Sequence, residues 1–254
     1  MLKTFSPGLQ VIMFILLVIF SAMMGNALLG LALAVTVSQD TLMQIDITDP
    51  RLVIALNLFS QVFSFLVAFL LYLRLSGERF SDMVHMQSIK LKPLLFTVGL
   101  LIVCFYAFPL FEFINEPLRQ ILPVEILESE ILTDQRHDAL FIQSDPIQFV
   151  FALIVMALLP AIFEELVFRG FLIKKMLQSG MSEYGAILMS SAIFALVHMQ
   201  PMKFLAMFTL GAALGFVYMR FRNLKYAMVL HFLFNGTQIT MTFLAGSGLP
   251  YLDF

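Results

Sequence analysis

Charged residues interrupt this chain only at intervals, and the stretches between them are long and apolar. Seven stretches contain no Asp, Glu, Lys or Arg: residues 4–39, 52–73, 93–111, 146–163, 184–202, 204–219 and 226–252. A helix needs about 20 predominantly apolar residues to cross the hydrocarbon core of a bilayer. The pattern therefore predicts an all-α fold, a polytopic transmembrane bundle of about seven spans.

Composition strengthens this interpretation. Hydrophobic residues make up 60% of the chain and charged residues 13%, whereas about a quarter of a soluble domain is charged. The expected surroundings are membrane lipids. A formal net charge of -2, without any Lys/Arg-rich run, argues against a nucleic-acid partner, because such partners require clustered cations. The single cysteine, Cys104, makes an intrachain disulfide framework impossible.

The basic residues are distributed unevenly between the two sets of connections. If seven helices alternate in direction, ten Lys and Arg residues fall on the side of the N-terminus and four on the opposite side. Connections rich in Lys and Arg stay in the cytoplasm. We therefore expect a cytoplasmic N-terminus, an outer C-terminus and insertion in a bacterial inner (cell) membrane.

The chain is expected to form one integral membrane domain, residues 1–254. Its one sizeable extramembrane part is residues 112–145, which hold eight acidic and two basic residues with prolines at 117 and 123. This acidic extramembrane loop should lie on the outer side. A solvated connector with short amphipathic helices is the simpler interpretation, and a lid over a substrate is the alternative.

The fourth predicted helix carries charges inside apolar sequence, at Glu164, Glu165 and Arg169. Ionisable groups within a membrane helix usually face the bundle interior or a wet cavity and mark a functional site. Glu165 and Arg169 are four residues apart, so they share a helix face and can form an ion pair. Glu164 points about 100° away from Glu165, which leaves it free to act as a base.

Two further helices carry polar residues that could meet these carboxylates. His198 follows Phe194 on the fifth helix, and His231 and Asn235 share one face of the seventh. A turn near Gly180 would bring Glu164 and His198 to nearly equal depth in an antiparallel hairpin. Because His231 starts only six residues beyond Lys225, we expect the site to open toward the cytoplasm.

These positions resemble the motifs of the CAAX-processing and bacteriocin-immunity intramembrane proteases, a family that includes the type II CAAX prenyl endopeptidases. The family's two-glutamate-to-arginine motif looks like Glu164-Glu165 with Arg169. Its Phe-to-His motif looks like Phe194 with His198, and its His-to-Asn motif looks like His231 with Asn235. The resemblance spans about residues 147–240, the expected catalytic helical core, and implies an endopeptidase acting on peptide or membrane-protein substrates, lipidated or not.

Two mechanisms stay open for such an enzyme. In the first, which the resemblance also implies, Glu164 and His198 activate a water, and His231 and Asn235 donate hydrogen bonds to the oxyanion. In the second, Glu164, His198 and His231 bind Zn²⁺ and Glu165 is the base, since two histidines and a glutamate form a known zinc set. The absence of a His-Glu-x-x-His run disfavours the membrane zinc proteases built on that motif.

A rival interpretation is a non-enzymatic membrane protein, either an immunity or scaffold factor or a small transporter whose charges line a pathway. A transporter should more often show paired repeats and helices broken near the midplane, and the sequence displays neither. Cleavage of membrane peptides by the purified protein would separate the two classes.

Overall fold

The computed structural model describes residues 2–36, 38, 46, 48–139 and 145–246, and this part of the chain contains no β-strand. Nine helices are described: α1 (Pro7–Thr36), α2 (Pro50–Ser76), α3 (Phe80–Met83), α4 (Leu91–Asn115), α5 (Val124–Ala139), α6 (Pro146–Gln178), α7 (Glu183–Val197), α8 (Phe204–Phe221) and α9 (Leu224–Gly246). Short 3₁₀ turns lie at Leu2–Thr4, Glu116–Gln120 and Pro201–Lys203. The expected all-α fold is confirmed.

In the described part of the chain, five helices are long and apolar enough to cross a membrane: α1, α2, α4, α6 and α8. The spans of α4 and α8 include the turns Glu116–Gln120 and Pro201–Lys203 beside them. Helix α7 is apolar but has only 15 residues. Helix α9 has 23 residues and carries His231, Asn235 and Gln238, which lower its mean hydropathy. With α7 and α9 included, the bundle agrees with the expectation of about seven spans.

The helix boundaries follow from capping residues as much as from the apolar stretches. Asp49 and Asp145 accept hydrogen bonds from the first backbone N–H groups of α2 and α6, and each precedes a proline at the first helical position. Helix α6 runs 15 residues past the predicted stretch 146–163 and ends before the turn at Gly180, where φ is +91°. The turn expected near this glycine is thus present.

The connections between helices gather at the two opposite ends of the bundle. At one end, called the basic end here, the residue 77–90 connection meets the start of α9, where the Leu224 N–H donates to the His85 carbonyl oxygen. At the other, the acidic end, the Asn115 side chain donates to the Met202 carbonyl oxygen at 2.8 Å. The alternation of helix direction assumed from the sequence matches this grouping.

A 16-residue helix, α5, occupies the middle of the predicted acidic loop. Its Glu130 carboxylate accepts a hydrogen bond from the Met202 backbone N–H at 3.0 Å, and its Asp134 forms an ion pair with Lys203. The segment is therefore a helix packed on the acidic end of the bundle and not only a solvated connector. Residues 140–144 of the predicted loop lie outside the described residues.

Helices α7 and α8 approach each other closely because α8 presents glycines at the contact. A Cβ atom on Gly211 would lie 3.1 Å from the Ser191 Cα, and one on Gly215 would lie 3.1 Å from the Ile187 side chain. Small residues spaced by four permit such backbone approach in membrane bundles. This contact holds α7, and hence His198 at its end, against the rest of the bundle.

Candidate active site

Helix α6 changes its hydrogen-bonding pattern on both sides of the two glutamates. It is α-helical over Leu159–Glu165 and π-helical over Leu153–Leu158 and Leu166–Ile173. Turns of π-helix inside α-helices are rare and occur frequently at functional sites. Glu164 and Glu165 are the last residues of the α-helical segment and are 3% and 0% exposed.

Glu165 and Arg169 form the ion pair that their spacing predicts. The Arg169 Nη1 donates to the Glu165 Oε1 at 2.7 Å, and both side chains are fully buried. The second arginine nitrogen, Nη2, donates to the Gly211 carbonyl oxygen at 2.8 Å, while the guanidinium lies 5.1 Å from the centre of the Phe194 ring. Arg169 thus joins α6 to α8 as well as neutralising Glu165.

His231 extends this pair into a network of three residues. Its Nδ1 lies 2.8 Å from the same Glu165 Oε1 that Arg169 contacts. Because an ionised carboxylate can only accept, Nδ1 carries the hydrogen of this bond. Sequence reasoning missed the contact, since no local signal connects α6 to a residue on α9.

Glu164 lies on the other side of the His231 ring. Its Oε2 is 3.9 Å from the His231 Nε2 and 4.0 Å from the His198 Nε2. Its Oε1 accepts a hydrogen bond from the Gln61 Nε2 at 2.8 Å. The Oε2 atom is buried and has no hydrogen-bond partner among the described residues. One carboxylate oxygen therefore faces both imidazoles.

The sequence had suggested that His198 lies within the fifth helix. In the structure it is the first residue after α7. Its Nδ1 is 2.7 Å from the Phe194 carbonyl oxygen and must donate to it. In the neutral ring this leaves Nε2, the atom facing Glu164, as a hydrogen-bond acceptor. The Phe194 to His198 spacing thus has a structural basis, because it sets the tautomer of the histidine.

Asn235 lies one helical turn beyond His231 on the same face of α9. Its Nδ2 donates to the Met156 carbonyl oxygen at 3.2 Å, within the π-helical segment of α6. The structure therefore places this amide at the margin of the site, in contact with α6 backbone rather than with Glu164. This bond uses one of the two hydrogens of the amide, and the side-chain oxygen could accept a second bond.

The partly exposed histidine of the site follows the end of α7 that is connected to the acidic end of the bundle. His198, with 26% of its side chain exposed, lies where α7 ends, whereas Glu164 and His231 are almost fully buried. The sequence predicted an opening at the end that carries Lys225, whereas the exposure of His198 at the other end of α7 favours the acidic end. Counting residues along α9 placed His231 shallow, but the packed helices bring it level with Glu165.

The zinc version of the site does not fit this geometry. Zn²⁺ ligands lie about 2.0–2.2 Å from the metal in a tetrahedral site, so their donor atoms are roughly 3.3 Å apart. The Glu164 Oε2 is 4.0 and 3.9 Å from the two histidine nitrogens. Among the described residues, no group of three His, Cys, Asp or Glu side chains is arranged to hold a metal ion.

The comparisons with known proteins agree with the motifs. A family model described as type II CAAX prenyl endopeptidase Rce1-like matches residues 146–237, from the start of α6 to the middle of α9. No curated protein and no solved structure gave a significant match. The matched segment includes both glutamates, the arginine, both histidines and the asparagine described above. The similarity of this integral membrane protein to the type II CAAX prenyl endopeptidase Rce1-like family thus covers residues 146–237 of its 254 residues.

Proposed function

We propose that this protein is an intramembrane endopeptidase that hydrolyses peptide bonds of membrane-associated substrates without a metal ion. The observation that carries the proposal is the position of the Glu164 Oε2, buried, unpaired among the described residues and about equally distant from two imidazole nitrogens. Hydrolysis needs an activated water, a proton carrier and donors for the oxyanion. The residues around this oxygen can supply all three.

Glu164 and His198 are the groups that activate the water. The 4.0 Å gap between the Glu164 Oε2 and the His198 Nε2 suits a water molecule that donates one hydrogen bond of about 2.8 Å to each atom. The water oxygen, with its lone pairs directed away from both acceptors, then attacks the carbonyl carbon. Glu164 takes the proton, and the carbonyl π electrons move to the oxygen.

His231 and Asn235 are the proposed donors to that oxyanion. Since the His231 Nδ1 hydrogen is engaged with Glu165, the Nε2 atom can donate only if the ring is an imidazolium. In that state the net charge of the four residues is zero, because Glu164 and Glu165 carry two negative charges and Arg169 and His231 carry two positive ones. A buried cluster with no net charge avoids the cost of an uncompensated ion.

Collapse of the tetrahedral intermediate completes the reaction. The oxyanion electrons reform the carbonyl group, the carbon–nitrogen bond breaks, and the proton held by Glu164 passes to the leaving amine. Glu165 and Arg169 do not touch the substrate in this scheme and act by holding His231. Residues 147–240 are proposed as the catalytic core of a single membrane domain, with helix α5 of the acidic loop beside the opening.

The family description names prenylated CAAX chains as the substrate class. We extend to this chain only the broader class, namely membrane-associated peptides that reach the acidic end of the bundle, and treat a prenyl group as a variable. A library of membrane peptides, each prepared with and without a prenylated C-terminal cysteine motif, tests both the activity and the role of the lipid.

The deciding comparison is between the wild type and Glu164→Gln in this assay. The isostere keeps size and an acceptor for the Gln61 amide but removes the base, so cleavage should fall by about 10²–10⁴-fold in a variant that still folds. Glu128→Gln, at an exposed position on α5, is the matched control and should cleave like the wild type. If the wild type cleaves nothing, or Glu164→Gln cleaves normally, the proposal fails and a non-enzymatic role is favoured.

A further inference from the structure

The candidate site includes a residue from helix α2, outside the segment that matches the family model. Gln61 is the last residue of the α-helical part of α2, directly before a π-helical turn at Val62–Val67. Its Nε2 donates to the Glu164 Oε1 at 2.8 Å, across 103 residues of sequence. The carboxylate can only accept, so the orientation of the glutamine amide follows from this contact.

This hydrogen bond determines which carboxylate oxygen is available for chemistry. With the Oε1 engaged by Gln61, only the Oε2 faces the His198 and His231 rings. Rotation of the carboxylate would break a hydrogen bond to a charged group, and such bonds are among the stronger ones in proteins. Gln61 thereby holds the proposed base in one orientation.

The other end of the same amide is unpaired. The Gln61 Oε1 is buried and has no hydrogen-bond partner among the described residues, although an unsatisfied buried acceptor is costly. It belongs to the same side chain that touches Glu164, so it lies beside the position of the scissile bond in the proposed mechanism. An extended peptide backbone carries N–H donors that could satisfy this oxygen.

Helix α1 packs against α2 close to Gln61. A Cβ atom on Gly25 would lie only 2.7 Å from the Phe63 ring, so α1 is pressed directly against the π-helical turn. Phe63 in turn stacks on Phe59, with ring centres 4.5 Å apart. The rotation of α2 about its axis, and with it the direction of Gln61, is held by this packing.

We infer that Gln61 is a positioning residue for Glu164 and that its carbonyl oxygen accepts a hydrogen bond from a backbone N–H of the substrate beside the scissile bond. The inference rests on the endopeptidase function proposed above. It extends the site to helix α2, outside the matched residues 146–237.

Kinetics with modified substrates test the substrate contact. Each peptide of a cleaved series is N-methylated at one backbone nitrogen flanking the scissile bond. In the wild type, one methylated position should lower kcat/KM by about 10–100-fold, as expected when a buried polar group loses its partner. With the unmethylated peptide, Gln61→Leu should have a kcat/KM about 10–100-fold below that of the wild type. Methylation at that position should not lower it further. Equal sensitivity in both proteins would overturn the substrate contact.

A spectroscopic measurement tests the positioning role without any cleavage. The infrared spectrum of the wild type minus that of Glu164→Gln isolates the Glu164 carboxylate stretch. Gln61→Leu should shift this band, because the carboxylate loses its donor. Asn57→Leu is the matched control, since Asn57 lies one turn earlier on α2 and, among the described residues, its amide bonds to the Val53 carbonyl oxygen and not to Glu164. An unshifted band in Gln61→Leu would overturn the positioning role of Gln61, even if Glu164→Gln is inactive. A shifted band together with an inactive wild type would overturn only the endopeptidase function.

Discussion

His231 and Glu165 are joined by a hydrogen bond of 2.8 Å between Nδ1 and Oε1, although 66 residues separate them in the chain. The same carboxylate oxygen accepts from Arg169, so one buried acceptor holds a guanidinium on its own helix and an imidazole on another. This arrangement makes the Glu165–Arg169 pair more than a connection between helices. It holds the ring whose opposite nitrogen faces Glu164.

Arg169→Ala should reduce both folding and activity. The substitution leaves the Glu165 carboxylate charged in a fully buried position and removes a donor from the Gly211 carbonyl oxygen. Breaking a buried pair by removing one partner costs about 3–5 kcal/mol. Yield after extraction, thermal unfolding and peptide cleavage measure the effect. A stable, fully active variant would mean that the pair is dispensable.

A double variant separates the structural part of this effect from the catalytic part. Glu165→Gln with Arg169→Met removes both buried charges, so most of the lost stability should return relative to Arg169→Ala. Cleavage should stay low, because His231 no longer has a charged carboxylate to balance an imidazolium. Recovery of stability together with full activity would limit the role of Glu165 to packing.

Gly211→Ala should separate α7 from α8 and weaken the site. The added methyl would lie 3.1 Å from the Cα and Cβ atoms of Ser191, so the helix backbones must move apart. Overpacking of this kind costs about 1–3 kcal/mol and would shift the carbonyl oxygen that binds Arg169. Thermal unfolding and cleavage should both decline.

The control for this variant is Gly99→Ala on α4. No atom lies within 4 Å of a Cβ built on Gly99, so the added methyl meets no neighbour. Alanine is a better helix former than glycine by about 0.5–1 kcal/mol, and stability should be unchanged or slightly increased. Equal losses in both variants would show that helix contact at Gly211 is not the cause.

Glu130 should make stability depend on pH at the acidic end. Burial raises the pKa of this carboxyl above its ordinary value of 4.5, and Asp134 adds to the rise, while the Met202 N–H and Lys203 act in the opposite direction. The folded state therefore binds the proton more tightly than the unfolded state. The contribution of Glu130 to stability is greatest below pH 4.5 and is lost as the pH rises through its folded-state pKa.

Glu130→Gln isolates this contribution, because the amide keeps an acceptor for the Met202 N–H but cannot ionise. Relative to the wild type, the variant should unfold at a similar temperature near pH 4 and at a higher temperature near pH 7. Thermal unfolding of both proteins across this range is the measurement. A difference between them that does not change with pH would rule out ionisation of Glu130 as the cause.

The distribution of basic residues predicts which end of the bundle is cytoplasmic. In a Cys104→Ser background, Lys90→Cys should be labelled by an impermeant thiol reagent only from the cytoplasmic side. Glu128→Cys and Met199→Cys, both exposed at the acidic end, should be labelled only from outside. The reverse pattern would overturn the orientation and place the exposed side of the site, next to His198, in the cytoplasm.

The sequence alone determined the membrane character, the approximate number of helices and the residues that carry charge within them. Those properties depend on free-energy costs that each segment of the chain meets by itself, whatever its neighbours are. A charge in hydrocarbon is expensive wherever it occurs, and a backbone in lipid must satisfy its own hydrogen bonds, which forces helices. The Glu165–Arg169 pair could also be predicted from the sequence, because residues four apart on one helix share a face.

Only the tertiary structure decided which side chains meet. Three examples are hydrogen bonds that join different helices: His231 to Glu165, Gln61 to Glu164, and Asn235 to the Met156 carbonyl oxygen. Depth counting misplaced His231 because it treats helices as straight and parallel. Tilt, rotation and π-helical turns are set by how helices pack against one another, through close approaches such as that of Gly25 to Phe63, and no periodicity within a single helix encodes them.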